Sequence, residues 1–182
     1  MVDKRYFETK LAIPETCKIE LVERIIKVTG PKGIVERNIK NKLLQIELLA
    51  DKIIFYSVRG TKNHKKIVLT FVAHTKNMLK GAVEGHVYKL KVCSGHFPMT
   101  AAVKGNMFEV KNLFGESKSR LLKLIPDVTV KVNVTEITVE GTDKEKVGQT
   151  AASIESLTKR PNFDKRIFQD GIYITSKDGK SV

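Results

Sequence analysis

Two kinds of side chain stand close enough together in this sequence to do chemistry: a thiol beside an imidazole, and lysines and arginines gathered around helical runs. Cys93-Ser94-Gly95-His96 offers a thiolate and an imidazole at a plausible metal-ligand spacing, but a structural zinc needs four ligands and no second Cys or His pair stands nearby. No metal site is expected, and the ordinary alternative is a histidine at a strand end. His64, His74, His86 and His96, with several serines and scattered acids, could be assembled into a triad on paper. The sequence frames that position such groups are missing, since there is no Gly-x-Ser-x-Gly elbow, no His-Glu-x-x-His pair and no Gly-x-x-x-x-Gly-Lys phosphate loop. Neither a catalytic residue nor a cofactor is expected.

The basic groups are better placed. Arg59, Lys62, Lys65 and Lys66 surround the start of one helical run, and Lys144, Lys146, Lys159, Arg160, Lys165 and Arg166 flank another and its trailing arm. Helix N-termini bind anions through free amides and the macrodipole, so lysines there would reinforce a phosphate site. The competing reading is that these are solvated surface residues. Phe163, Phe168 and Tyr173 interleave with the basic residues of the arm, and aromatics beside Arg and Lys can stack on unpaired bases. Such rings can equally pin the arm to its own domain, which is the expectation for Phe168 and Tyr173. Over the chain, 33 Lys+Arg against 20 Asp+Glu give a formal charge of +13. That balance attracts phosphate backbones, and also anionic surfaces or acidic proteins.

The elements that must hold these groups are legible in the periodicity. Ile19 and Leu21, then Ile26 and Val28, read as a hairpin; Gly30-Pro31-Lys32-Gly33 is a turn; strands follow at 34–39, 43–49 and 53–58. From about Asn63 to Leu79, Ile67, Phe71, Met78 and Ala82, flanked by Val68, Val72 and Leu79, recur at helical spacing, with Gly81 or Gly85 as the stop. Tyr88, Leu90 and Val92 alternate with Lys89 and Lys91, which predicts a half-buried strand with a basic outer face. Further strands are expected at 108–110, 121–124 and 128–134, the last placing Val128, Val130, Val132 and Val134 on one face. Thr142-Asp143-Lys144-Glu145 fits a capping box with Thr142 as the cap, opening a helix whose stripe is Val147, Ala151, Ile154 and Leu157. After Lys159 an extended arm and a mobile polar tail are expected.

The plan occurs twice. Val28 and Gly33 recur as Val110 and Gly115, and Ser57-Val58-Arg59-Gly60-Thr61 recurs as Thr138-Val139-Glu140-Gly141-Thr142, with one residue fewer between the matches. The period is too long for a solenoid, so two tandem copies of one small domain are predicted. The fold class is α+β, each copy an antiparallel or mixed sheet packed on one main helix. Boundaries are expected at 1–83, 84–174 and a polar tail at 175–182. No stretch of about 18 apolar residues occurs, and the N-terminus lacks a signal-peptide core. Cys17 and Cys93 are too few for a disulfide framework and suit a reducing cytoplasm.

The sequence resembles the large-subunit ribosomal protein family called L-six in bacteria and archaea and L-nine in eukaryotes. The segments that carry the likeness are Ile13-Pro14, Val28 to Gly33, Asn77 to Val83, Tyr88 to Lys91, His96-Phe97-Pro98, Asn112 to Glu116, Val139 to Gln149 and Asp170 to Tyr173. The internal duplication is itself a property of that family. The resemblance implies a monomeric, non-catalytic constituent of the large subunit, binding its large RNA near the stalk base and the sarcin-ricin region and touching neighbouring ribosomal proteins. It places the main RNA contacts in the second domain, on Lys144, Lys146, Gln149, Lys159, Arg160 and Lys165, to which Arg166 and the outward Lys89 and Lys91 are added. Phe163-Asp164-Lys165-Arg166-Ile167 replaces the bacterial Tyr-Lys-Gly-Lys-Gly, which looks like the archaeal and eukaryotic branch. Neither a membrane nor a small-molecule substrate is implied. Two other readings compete: a basic interaction module docking an acidic protein partner, and an RNA-modifying enzyme, for which no converging titratable constellation is visible.

Overall fold

A computed structural model describes residues 6–39, 41, 43–49, 51–164 and 166–182. The chain forms two compact units, Met1–Gly85 and His86–Val182. In unit 1 the strands β1 (Tyr6–Ala12), β2 (Lys18–Val22), β3 (Ile25–Gly30), β4 (Gly33–Asn38), β5 (Leu44–Leu48) and β6 (Lys52–Ser57) precede α1 (Lys62–Val83). They pair antiparallel as two three-stranded sheets, β1-β6-β5 and β2-β3-β4. The helix buries Val68, Val72, Met78, Leu79 and Ala82 against Ile26, Val28, Ile53 and Phe55, a stripe at the three- and four-residue steps a helix needs to present one face. Thr75, an interruption of that stripe in the sequence, is buried and donates its hydroxyl to the Phe71 carbonyl at 2.9 Å. Gly85, at φ 79°, ends the helix, and its amide donates to the Gly81 carbonyl.

Unit 2 repeats this frame. Its elements are β7 (His86–Cys93), β8 (Thr100–Lys104), β9 (Met107–Lys111), a 3-10 turn at Leu113–Gly115, β10 (Arg120–Lys123), β11 (Val128–Val132), β12 (Glu136–Gly141), α2 (Lys144–Leu157), β13 (Gly171–Lys177) and β14 (Lys180–Ser181). The order β7-β12-β11 matches β1-β6-β5, and β10-β9-β8 matches β4-β3-β2. The duplication thus extends to strand pairing. Unit 2 differs by a short α2 and by β13, which pairs with the other edge of β7 and, with β14, extends the larger sheet to five strands. Phe108, Leu90, Leu113, Ile137, Ile154 and Ile172 are its largest fully buried apolar side chains.

Several expectations need correction. The stretch from Gly171 on, read as the end of the arm and a mobile tail, is β13 and β14: Ile172 is fully buried, and Asp178 closes the hairpin against β7. Its carboxylate accepts from the Val87 amide at 3.2 Å and lies 2.8 Å from His86 Nδ1. The expected boundary at 175 therefore falls inside a strand. Val134 is 94% exposed, because β11 ends at Val132 and residues 133–136 turn back through an Asn133 N–H to Glu136 carbonyl bond. The cap of α2 is Asp143, not Thr142; its carboxylate accepts from the Glu145 amide at 2.9 Å. Within the expected α+β plan the strands of each unit divide between two sheets, and β1 and β8 are strands the periodicity did not reveal.

One close approach fixes the end of α1. A β-carbon on Gly30 would stand 2.6 Å from the Ala82 carbonyl oxygen, which also accepts from the Lys32 amide at 3.0 Å. Gly30→Ala should therefore destabilise the chain by about 1–3 kcal/mol, the usual cost of overpacking. Gly148→Ala, whose β-carbon would meet Tyr88 at an ordinary 3.7 Å, should be neutral or stabilising by up to about 1 kcal/mol from helix propensity. Urea titrations followed by circular dichroism distinguish the two outcomes.

Candidate nucleic-acid interface

The basic residues singled out in the sequence occupy different places on unit 2. Lys144 and Lys146 sit in the first turn of α2, whereas Lys159 and Arg160 follow its last turn, about 20 Å away for a helix of 14 residues. Gln149 is exposed along the helix. Lys89 and Lys91 are exposed on β7, on the face opposite to Tyr88, Leu90 and Val92, which point into the core with α2. Arg166 is exposed in the arm, and Lys165 lies outside the described residues.

The start of α2 is already supplied with carboxylates. Asp143 caps the helix, Lys146 Nζ donates to Asp127 Oδ2 at 2.7 Å, and Lys144 Nζ lies 3.9 Å from Asp178. The hydrogen bond to Asp127 holds the Lys146 ammonium above its ordinary pKa, with the charges of Asp127 and Asp143 adding to it and burial opposing it. An exposed pair of this kind is worth about 0–1 kcal/mol. A phosphate could compete for either lysine, but neither ammonium is unpartnered.

The other end of α2 is built differently. The last helical carbonyls have no partner within the helix. Arg120, on β10, supplies one: its Nη1 donates to the Leu157 carbonyl at 2.7 Å and the Lys159 carbonyl at 3.3 Å, while Nε and Nη2 grip the Glu116 carboxylate at 2.9 and 2.6 Å. These Arg120 bonds hold the Glu116 carboxyl below its ordinary pKa against the effect of burial, and the charges of Arg120 and Arg160 add to the shift. Thr158, the C-cap, donates to the Glu155 carbonyl and accepts from the Ile172 amide, both at 3.0 Å. The chain is thereby held where it leaves the helix.

Beyond this point the side chains form a connected aromatic cluster. The Arg160 guanidinium lies 4.2 Å from the Phe163 ring centroid and 5.5 Å from that of Phe114. Phe163 meets Phe168 edge-on at 5.1 Å, Phe114 lies 5.8 Å from Phe163, and His96 continues the series 5.3 Å from Phe168. Phe114 takes φ 51° and ψ 32°, a left-handed conformation that bulky residues avoid. Asp170 anchors the loop carrying His96: the buried carboxylate accepts from the Gly95 amide at 2.6 Å and the His96 amide at 3.2 Å. Burial would raise its pKa, but the Gly95 and His96 amides and the His96 ring outweigh that, and the net shift is downward.

Phe168 is half-buried. Burial, then the neighbouring Cys93, Asp170 and Glu155, raises the pKa of the Tyr173 hydroxyl. Phe168 packs against His96, Phe114 and Phe163, and Tyr173 lies in β13, whereas Phe163 keeps 36% of its surface in solvent. The roles of Arg120, Asp170 and Phe114 were not legible, because each acts on a partner distant in sequence. Lys89, Lys91, Lys159 and Arg166 make no ion pair among the described residues, and the charge of Arg160 acts on Glu116. Exposed cations, with Arg160 beside the partly exposed Phe163 ring, are the residue types that RNA-binding surfaces use.

Comparison with known proteins agrees with the duplication. The model of the family described as Ribosomal protein L6 matches this chain twice, at residues 13–85 and 97–171. The chain is similar to the large ribosomal subunit protein uL6 of Ignicoccus hospitalis, 39% identical with 91% of this chain and 92% of the relative covered. It is similar to the protein of the same name from Methanosarcina mazei, at 41% identity over 92% and 95%. That of Nanoarchaeum equitans is 40% identical over 95% and 94%.

Two substitutions test the supports of the site. Arg120→Met should cost about 1–3 kcal/mol, a charge-assisted set of bonds discounted for its partial exposure, read as a lower urea midpoint with unchanged slope. Asp170 has a folded pKa below its ordinary 3.8, so its contribution is fully present above about pH 4 and lost as pH falls through the lowered value. Asp170→Asn should therefore lower stability at neutral pH and flatten the acid limb of the stability profile, a change that urea midpoints measured from pH 7 downward will register.

Proposed function

Because the chain belongs to the ribosomal protein L6 family, on its archaeal branch, we propose that it is a structural, non-catalytic constituent of the large ribosomal subunit in the cytoplasm. It binds large-subunit ribosomal RNA near the stalk base and the factor-binding sarcin-ricin region, beside neighbouring ribosomal proteins. Unit 2 carries the main RNA contacts. The observation that supports this most is the exposed group Lys159, Arg160 and Arg166 after α2, of which Lys159 and Arg166 make no ion pair among the described residues. A formal charge of +13 adds long-range attraction to a polyanion.

Binding works by neutralising phosphates that lie in fixed register, and each neutralised phosphate releases counterions. Affinity for large-subunit RNA should fall with salt on a log-log slope of about −0.7 to −0.9 per phosphate. Replacing Lys159 and Arg166 with Gln should reduce that slope by roughly 0.7–0.9 for each phosphate that is no longer neutralised. In a sucrose gradient the chain should travel with the large subunit and lose that position after ribonuclease. A chain that remained bound to an acidic protein after nuclease, with affinity insensitive to salt, would replace this reading with the interaction module.

A further inference from the structure

We infer that Arg160 and Phe163 form a stacking platform for one unpaired nucleobase, so that the surface after α2 reads a base face as well as phosphate charge; this rests on the ribosomal RNA reading above. The Arg160 guanidinium is 4.2 Å from the Phe163 centroid, and Arg160 is exposed, its charge felt by Glu116. A guanidinium is a planar cation with a stem long enough to lie flat on a ring. The guanidinium also lies 5.5 Å from the Phe114 centroid, and the exposure of Arg160 and Phe163 leaves the pair accessible to a further planar group.

The rings beneath are fixed from three separate parts of the chain. Phe114 comes from the turn after β9, Phe163 and Phe168 from the segment after α2, and His96 from the loop after β7. Phe114 at φ 51° occupies left-handed backbone, which a bulky residue avoids and which persists only where surrounding contacts impose it. Arg120 holds the end of α2 immediately before Arg160, and Asp170 holds the loop of His96. The platform is thus in place before any ligand arrives.

A phosphate needs none of this construction, since an exposed lysine meets it equally well. A base within a duplex has both faces covered by its neighbours. A flipped or looped-out base has a free face, and stacking on an aromatic or guanidinium plane is the usual way a protein takes one up.

The test uses the full chain and two probes: a short single-stranded oligoadenylate carrying one fluorescent aminopurine, and an RNA duplex of equal charge. Arg160→Lys keeps the charge and removes the plane, and Phe163→Leu removes the ring; thermal melts verify that both variants fold. Each should weaken single-strand binding by roughly tenfold to a hundredfold and abolish the stacking quench of the aminopurine, while duplex affinity falls far less and the salt slope, set by charge, is kept. Phe163→Tyr should restore both. Equal losses on the two probes, or a quench that survives in Arg160→Lys, would overturn the platform and leave a phosphate contact. Failure of the unaltered chain to bind either RNA would overturn the RNA reading itself. Loss of binding to polyglutamate alone in these variants would assign the surface to an acidic protein instead.

Discussion

The end of α2 cannot be left unsatisfied, and the rest of unit 2's surface follows from how that demand is met. Its terminal carbonyls have no partner along the helix axis, and Arg120 reaches them from the smaller sheet while gripping Glu116 with the rest of its fork. One side chain thus ties the turn after β9, the helix end and the first residues of the arm to a common point. Thr158 adds the start of β13 through the Ile172 amide. The aromatic rings gather where these segments meet, because their backbones are already close.

The duplication explains why the two units share a frame and not a surface. Both use a central antiparallel ladder, β1-β6-β5 or β7-β12-β11, with a second small sheet and one helix. In unit 1 the helix runs for 22 residues and ends in a close approach of Ala82 to Gly30. In unit 2 it stops after 14, and the residues that follow form the arm and β13 instead. The arm's cations and rings belong to that difference.

Most of the frame was legible because the signal is local. The alternation through Tyr88, Leu90 and Val92 could serve only a strand, and the stripe ending at Ala82 only a helix. β8 was silent because Thr100, Ala101 and Ala102 carry too little apolar contrast. Val134 was misplaced because alternation continues through a turn that the backbone has already taken. Thr142 and Asp143 are both good caps, and only the backbone decides between them. The expected basic residues were named by type, but not by place. Their spread over two ends of a helix and a sheet face depends on three-dimensional register. Asp170 acts on Gly95, and Arg120 on Leu157, across separations at which sequence carries no periodic trace.

The position of β13 also has a temporal consequence. Chains fold as they are made, N-terminal portions first, and the ladder of unit 1 is complete once residues up to β6 have emerged. Unit 2 keeps that schedule for β7-β12-β11, but the other edge of β7 must wait for Gly171–Lys177. Until then a strand with the apolar face Tyr88, Leu90 and Val92 keeps one edge open, the kind of edge to which a foreign strand can add. Pairing with β13 closes that edge of β7, whereas the matching edge of β1 gains no further strand among the described residues.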